Sequence, residues 1–379
     1  MVIAEECRAV GLARAFTRVV WTDWTVPQRP CRDPEQHLAA AIAWLKRAHD
    51  QSGDGGVSYG YTLKGGWRPS YRETSGYIAV TFLDLAQHLG DDDARVRARR
   101  IGRWLRDVQN PDGSFSNPRY HERGIVFDTG QVLSGLLRAG QETRYHSLLE
   151  AARRAADWLV GVADADGVWR HHDHLGVVHV YNTRVAWPLL ALNALEPRPE
   201  RERIARANLE WALGQQRNGW FAHCGFEAGA LPFTHTIAYT LRGLLESAVL
   251  LKESRYLDGA VRGAEAVLGH LRPDGFLPGR IGLDGRARGR FACLTGNAQM
   301  ATVWFRLFEL TSERRFRAAA WASLRYVMAS QDLTTADPDV RGGIKGSQPI
   351  WGGYAPFTYP NWATKFFIDA LLLWRKVAS

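Results

Sequence analysis

The sequence contains an internal repeat of about 54 residues, and this repeat limits the possible folds more than any other feature. A serine or threonine followed by a long apolar segment recurs at Ser75, Thr129, Thr183, Thr236 and Thr295, with spacings of 54, 54, 53 and 59 residues. Each segment is hydrophobic nearly all round, which is typical of a buried helix. Six segments of this kind are present: 75–90, 129–140, 183–195, 236–251, 295–311 and 361–374.

An amphipathic segment and a glycine-centred turn precede each buried segment. The amphipathic segments have apolar residues three to four positions apart, which predicts helices with one buried face over 37–49, 97–109, 149–162, 204–216, 256–271 and 316–329. The turns lie at 52–60, 111–115, 165–169, 217–221, 273–279 and 341–347. An irregular loop then leads to the buried helix.

Six helix pairs with buried inner helices favour a closed double ring, an all-α (α/α)6 toroid. A linear solenoid is the alternative, although its repeats are usually shorter and more uniform. We expect one toroid over 34–379 and an N-terminal arm or helix over 1–33. The long loops then surround the mouth of a central pocket, and the aligned serines and threonines are expected to cap the inner helices.

Composition restricts the class of partner. The chain has 379 residues, a net charge of +9 and 15 tryptophans, and the basic surplus suggests an anionic partner. No nucleic-acid-binding motif, membrane-spanning apolar run or signal peptide is evident, which predicts a cytoplasmic protein. The four cysteines suit a reducing compartment. We expect no cofactor and no metal, and the oligomeric state is left open.

Titratable and aromatic side chains concentrate in the loops before the buried helices, where seven of the 12 histidines lie. The residues just before the aligned serines and threonines, among them Thr74, Asp128, Asn182 and His235, are expected to point into the pocket. Tyr239 follows His235 by four positions and shares its helix face. Arginine binds carboxylates through paired N–H groups and aromatic faces stack on sugar rings, so an acidic glycan or oligosaccharide is the expected substrate.

These considerations give two sets of candidate residues. The catalytic candidates are His235, Tyr239, Asp128 and Tyr181. The substrate-binding candidates are Asn182, Arg184, His179, His172, Glu227, Arg119, His121, Arg290, Trp351 and Tyr354.

The six hairpins, the glycine–aromatic turns and the apolar inner helices resemble the six-hairpin glycosidase-like toroids. That superfamily includes glycoside hydrolases, polysaccharide lyases and uronyl epimerases, and the resemblance implies a carbohydrate-active enzyme. Hydrolysis requires two carboxyl groups, for which Asp128, Asp173 and Glu227 are available. Lyase or epimerase chemistry requires a base such as His235 beside a uronate carboxylate. We favour the second chemistry slightly, because arginines are plentiful in these loops and carboxylates comparatively scarce.

Three alternatives stay open. The sequence Gln-Asn-Pro-Asp-Gly-Ser-Phe at 109–115 is similar to the repeated turn of triterpene-cyclase toroids, whose acidic motif has its nearest counterpart in Asp91–Asp93, a predicted turn and helix start. Cys224, Cys293 and His223 lie in consecutive loops and permit a zinc site similar to that of lanthionine cyclases. A non-catalytic toroid that binds an acidic glycan is the third alternative.

Overall fold

A computed structural model describes residues 2–26, 28–117 and 123–378, with residues 2–10 described by their backbone alone. The α-helices are α1 (Val2–Thr25), α2 (Pro34–Asp50), α3 (Arg72–Leu89), α4 (Asp92–Asp107), α5 (Val126–Thr143), α6 (His146–Gly161), α7 (Thr183–Leu195), α8 (Pro199–Gly214), α9 (Thr234–Leu251), α10 (Ser254–Leu268), α11 (Leu294–Thr311), α12 (Arg314–Ser330) and α13 (Asn361–Ala378). Short 3₁₀ turns lie at His174–Gly176 and Val180–Asn182.

The odd-numbered helices from α3 to α13 form a closed inner ring. Each packs against the next inner helix, and α13 packs back against α3. The even-numbered helices from α2 to α12 form the outer ring, so the predicted (α/α)6 toroid is confirmed. The predicted helix spans agree with the observed ones to within a few residues at most ends.

The inner–outer helix pairs differ from those that the repeat suggests. Each inner helix from α3 to α11 packs against the outer helix that follows it, and α13 packs against α2. Turns of only two or three residues make these inner-to-outer connections, whereas the outer-to-inner connections are the long loops. All long loops therefore lie at the end of the ring where the inner helices begin.

The glycine turns position these loops against the neighbouring outer helix. Gly275 has a φ of +85°, and a Cβ there would lie 2.1 Å from the carbonyl oxygen of Ala322 on α12. Gly342 has a φ of +86°, and its Cβ would lie 2.3 Å from the carbonyl oxygen of Ala40 on α2. Only glycine combines a positive φ with so close a backbone approach, which explains why the turn recurs in the repeat.

The aligned serines and threonines do not cap the inner helices, so this prediction was wrong. Most inner helices begin earlier, and Ser75 and Thr129 are each the fourth residue of their helix, whereas Thr183 is the first residue of α7. Their hydroxyls accept hydrogen bonds from the backbone N–H groups of Val57 (2.9 Å) and Phe115 (3.0 Å), just beyond the glycine turns. In these two hairpins the hydroxyl therefore fixes the turn to the inner helix.

Short antiparallel strands join neighbouring loops. They are β1 (Gly60–Thr62), β2 (Gly66–Trp67), β3 (Gln216–Arg217), β4 (Trp220–Phe221), β5 (Arg280–Ile281), β6 (Ala287–Arg288), β7 (Ala292–Cys293), β8 (Ser347–Gln348) and β9 (Thr358–Pro360). Strand β1 lies between β2 and β9, and Tyr61 pairs with Tyr359 in register. This pairing links the first and last loops of the ring.

Helix α1 lies outside the six hairpins and is held by a buried ion pair. The Lys345 amino group lies 2.5 Å from a carboxylate oxygen of Asp23 on α1, and both side chains are almost fully buried. The other Asp23 oxygen accepts the backbone N–H of Ile350 at 2.8 Å. Among the described helices, none is long and apolar enough to cross a membrane.

Candidate active site

Two buried carboxyl groups lie in the first turns of adjacent inner helices, Glu73 on α3 and Asp128 on α5. We call them the central acid pair. The side chains around them come from helices on different sides of the ring. The hydroxyls of Tyr77 on α3 and Tyr239 on α9, two inner helices that face each other, form a hydrogen bond. Glu73 hydrogen-bonds Tyr77, which places the pair beside the ring axis.

Burial raises the pKa of Glu73 from 4.5 to about 7. Two effects oppose this rise, namely hydrogen bonds from the hydroxyls of Tyr71 and Tyr77 and the positive charge of Arg184. The Tyr71 hydroxyl also accepts the side-chain N–H of Asn117 at 3.0 Å. The pKa of Glu73 therefore lies near neutrality, and its carboxylate form has hydrogen-bond donors in place.

Burial also raises the pKa of Asp128 well above its usual range, and the nearby charge of Glu73 raises it further. One carboxyl oxygen of Asp128, Oδ2, is fully buried and has no hydrogen-bond partner among the described residues. Both effects favour the protonated carboxyl group of Asp128, the form that can donate a proton to a bound molecule.

His235 lies in the first turn of α9 and is buried among aromatic rings. Its ring centroid is 4.3 Å from that of Tyr239 and 5.1 Å from that of Tyr354. The side-chain amide nitrogen of Gln299 lies 2.6 Å from its Nδ1 atom. Burial and the charge of Arg184 lower the pKa of His235 to about 3, so the imidazole is neutral and weakly basic at neutral pH.

A second buried network lies next to the acid pair and involves three predicted residues. Asn182 donates a hydrogen bond to Asp173 at 2.7 Å, and the Nδ1 atom of His179 lies 3.2 Å from the same carboxylate oxygen. The His179 ring stacks on Tyr181 with centroids 4.5 Å apart. The charge of Asp173 contributes to the raised pKa of Asp128, so this network borders the central acid pair.

A surface groove leads towards this network from the loop end of the ring. It has a volume of about 490 Å³ and is lined by Arg123, Ile125, His172 and Asp173, among others. Asp173 is thus shared between the groove and the buried network.

The predicted site residues separate into three groups. The interior holds His235, Tyr239, Asp128, Tyr181, Asn182, Arg184, His179 and Tyr354. The exposed loop surface holds His172, Glu227, Arg290 and Trp351. Arg119 and His121 lie outside the described residues. The structure therefore brings together the candidates nearest the aligned serines and threonines and leaves most of the loop candidates apart.

The described residues around Cys224, Cys293 and His223 do not form a cluster of metal ligands. No group of three or more potential metal ligands occurs among the residues that the structure describes. Burial raises the pKa values of the Cys224 and Cys293 thiols to about 12, and His223 is exposed.

Asp91, in the nearest counterpart of the triterpene-cyclase acidic motif, has a structural contact. It caps α4 by accepting the backbone N–H of Ala94 at 3.0 Å, as expected for a helix start.

Comparisons with solved structures identify the architecture. A heparin-specific unsaturated glucuronyl hydrolase superposes with a TM-score of 0.73 at 15% identity, covering 91% of this chain and 97% of that one. The unsaturated glucuronyl hydrolase of Bacillus sp. GL1 has a TM-score of 0.70 at 18% identity, with coverage of 90% and 96%. The chain has the six-hairpin toroid fold. Identities this low establish the fold alone.

Sequence comparisons point to a second group of toroids. The model of the squalene-hopene cyclase C-terminal domain matches residues 72–244, from α3 into α9. Drimenyl diphosphate synthase of Streptomyces showdoensis is 32% identical over 108 residues, which are 28% of this chain. The match spans only 20% of that protein's length.

Sequence reasoning missed Glu73, the partner of Asp128. The repeat alignment selected Thr74 at this position, and Glu73 lies one residue earlier. An acidic residue in the first turn of a helix is common because it interacts favourably with the helix dipole, so it attracted no attention. The useful signal was the pair of tyrosines at 71 and 77 on either side of it.

Proposed function

We propose that this protein is a glycoside hydrolase acting on an acidic, uronate-containing oligosaccharide, with the catalytic unit in residues 34–379. The observation that carries the proposal is the central acid pair, Glu73 and Asp128. Hydrolysis of a glycosidic bond requires two carboxyl groups, one to donate a proton to the leaving oxygen and one to act as base or nucleophile.

The different environments of the two carboxyl groups suggest their roles. Burial and the Glu73 charge raise the pKa of Asp128 and favour its protonated form, so we assign Asp128 as the proton donor. Glu73, with a pKa of about 7 and hydrogen bonds from Tyr71 and Tyr77, is the group that loses its proton first. Its carboxylate accepts a proton from the attacking water or attacks the sugar itself.

The weak basicity of His235 supports hydrolysis over lyase or epimerase chemistry. Removal of the proton next to a uronate carboxylate requires a base with a pKa near the working pH. A pKa of about 3 makes His235 a poor base for that step. We assign His235 and Tyr239 to the wall that contacts the sugar, and no longer to proton transfer.

Acidic oligosaccharides suit the surface through which a substrate would reach the pair. Arg123, Arg170 and two histidines line the groove that ends at Asp173. Basic groups there would attract a carboxylate, and Asn182 and His179 lie behind Asp173 in position to bind a sugar. Solved structures with the same fold include those of unsaturated glucuronyl hydrolases, whose name agrees with an acidic sugar substrate.

A panel of unsaturated uronyl disaccharides and intact uronate polymers tests the proposal. A hydrolase would release the unsaturated sugar from the disaccharides and lower their ultraviolet absorbance, whereas a lyase would raise the absorbance of an intact polymer. We expect Glu73→Gln and Asp128→Asn each to lower turnover by at least about 10²-fold. Glu142→Gln, on the exposed last turn of α5, is the matched control. The proposal would be contradicted if Glu73→Gln and Asp128→Asn had the same turnover as the control Glu142→Gln.

A second candidate function is protonation of an isoprenoid alkene to start cyclisation. The match of residues 72–244 to the cyclase domain favours it, as does Asp128, whose pKa is raised by burial and whose charge acts on Tyr239. The Arg184 guanidinium lies 5.3 Å from the centre of the Tyr239 ring, and its charge would destabilise a carbocation there. Incubation with a linear isoprenoid diphosphate decides this, since a cyclic product detected by mass spectrometry would replace the hydrolase proposal.

A further inference from the structure

A second cavity lies at the opposite end of the inner ring from the loops. Its volume is about 170 Å³, more than ten times the roughly 10–15 Å³ needed to hold one water. All six inner helices contribute to its wall, mostly through residues beyond their first two turns. We call it the distal cavity. It lies beyond Tyr77 and Arg184, which separate it from the central acid pair.

Cationic side chains outnumber anionic ones in the wall of the distal cavity. Arg184, Arg242, Lys365 and Lys376 line it, against the two carboxyl groups Asp84 and Asp369. Burial, together with the charge of Asp369, raises the pKa of Asp84 to about 6, so that part of its negative charge is lost in mildly acidic solution.

Most of these charges have an ion-pair partner. Lys365 pairs with Asp369 four residues later on α13. The Nε atom of Arg242 lies 2.7 Å from a carboxylate oxygen of Glu246 on α9. Lys376 lies 2.7 Å from Glu309. These pairs satisfy three of the four cations without any bound molecule.

Arg184 is the exception. Its side chain is 7% exposed, and no acidic group forms an ion pair with it among the side chains that the structure describes. One guanidinium nitrogen donates to the side-chain oxygen of Gln131 at 3.2 Å, while Nε has no hydrogen-bond partner. Burial lowers the pKa of Arg184, Tyr239 opposes this effect, and the nearby charge of Arg242 lowers the pKa further. A buried, unpaired guanidinium of this kind is costly without a counter-ion.

We propose that the distal cavity binds a small oxyanion, which pairs with Arg184 and is also attracted by Arg242. The ligand is an inorganic oxyanion such as phosphate or the carboxylate of a small organic acid, because both offer the two oxygens that a guanidinium binds side by side. This site is separate from the proposed sugar site, and its occupation does not depend on the glycosidase proposal.

Thermal unfolding at constant ionic strength, with inorganic phosphate and acetate as separate probes, tests the site. Because a ligand of the folded state stabilises it, wild-type protein should gain about 2 °C or more in Tm with at least one probe at saturation. The better probe identifies the source of the oxyanion. Arg184→Gln should lose this response. It should also be more stable than wild type without the anion, since the variant removes an unpaired buried charge.

Arg201→Gln is the matched control, because Arg201 is equally buried but pairs with Asp157 at 3.0 Å on the outer ring. It should lower Tm and leave the anion response unchanged. The proposal is wrong if wild type gains no stability with either probe, or if Arg184→Gln responds to the anion as wild type does. It is also wrong if Arg184→Gln is destabilised as much as Arg201→Gln, because a purely structural arginine would give that result.

Discussion

Replacement of Glu73 by glutamine should stabilise the protein at alkaline pH while removing its activity. The pKa of Glu73 rises from 4.5 to about 7 on folding, chiefly through burial. The folded state therefore holds this proton more tightly than the unfolded state does. Stability is unaffected below pH 4.5 and falls as the pH rises from about 4.5 to about 7, because only the unfolded chain can then ionise Glu73 freely.

The size of the effect follows from the shift. At 1.36 kcal/mol for each pKa unit, the ionised Glu73 costs the folded state about 3 kcal/mol above pH 7. Glutamine keeps the shape and an oxygen that accepts hydrogen bonds from Tyr71 and Tyr77, but it does not ionise. Glu73→Gln should therefore raise the free energy of unfolding by about 3 kcal/mol at pH 8 and by less than about 1 kcal/mol at pH 5.

Chemical denaturation of wild type, Glu73→Gln and the control Glu142→Gln at pH 5 and pH 8 measures this difference. Asp128 is present in all three proteins, so its own shift largely cancels. The Glu73 charge causes part of the rise in the Asp128 pKa. Its removal in Glu73→Gln makes ionisation of Asp128 less costly, which also stabilises the variant at high pH. A gain that is the same at both pH values, or a loss at pH 8, would show that Glu73 is not an ionised buried group.

Three further predictions concern other parts of the ring. Gly275→Ala should destabilise the protein by at least about 2 kcal/mol more than Gly229→Ala in thermal unfolding, because both glycines have positive φ but only Gly275 meets a neighbouring backbone. Lys345→Met should lower the free energy of unfolding by about 3–5 kcal/mol, because it leaves Asp23 buried without its cation. Limited proteolysis should then cleave near α1, and unchanged resistance to the protease would contradict this prediction. His235→Asn should lower hydrolytic turnover by less than about tenfold, whereas a loss beyond about 10² would restore His235 as the base.

Helix positions and ring closure could be predicted from the sequence because apolar periodicity and repeat spacing report directly on burial. The role of the hydroxyl at Ser75 could not, because its partner is the backbone of Val57, which has no sequence signature. Asp128 was found from its register, whereas Glu73 lies one position outside that register. The pKa of His235 depends on burial and on Arg184, and neither its depth nor that contact could be read from its position in the chain.

The pairing of β1 with β9 has a consequence for how the molecule unfolds. In an open array of repeats the terminal units contact one neighbour each, so they can fray while the rest stays folded. Here the strand around Tyr61 is joined to the strand around Tyr359, and α13 packs on both α2 and α3. Every hairpin therefore has two neighbouring hairpins. If any one hairpin unfolds, the packed faces of both its neighbours become exposed. We expect amide hydrogen exchange to give similar protection in all six hairpins, with no gradient from one end of the chain to the other.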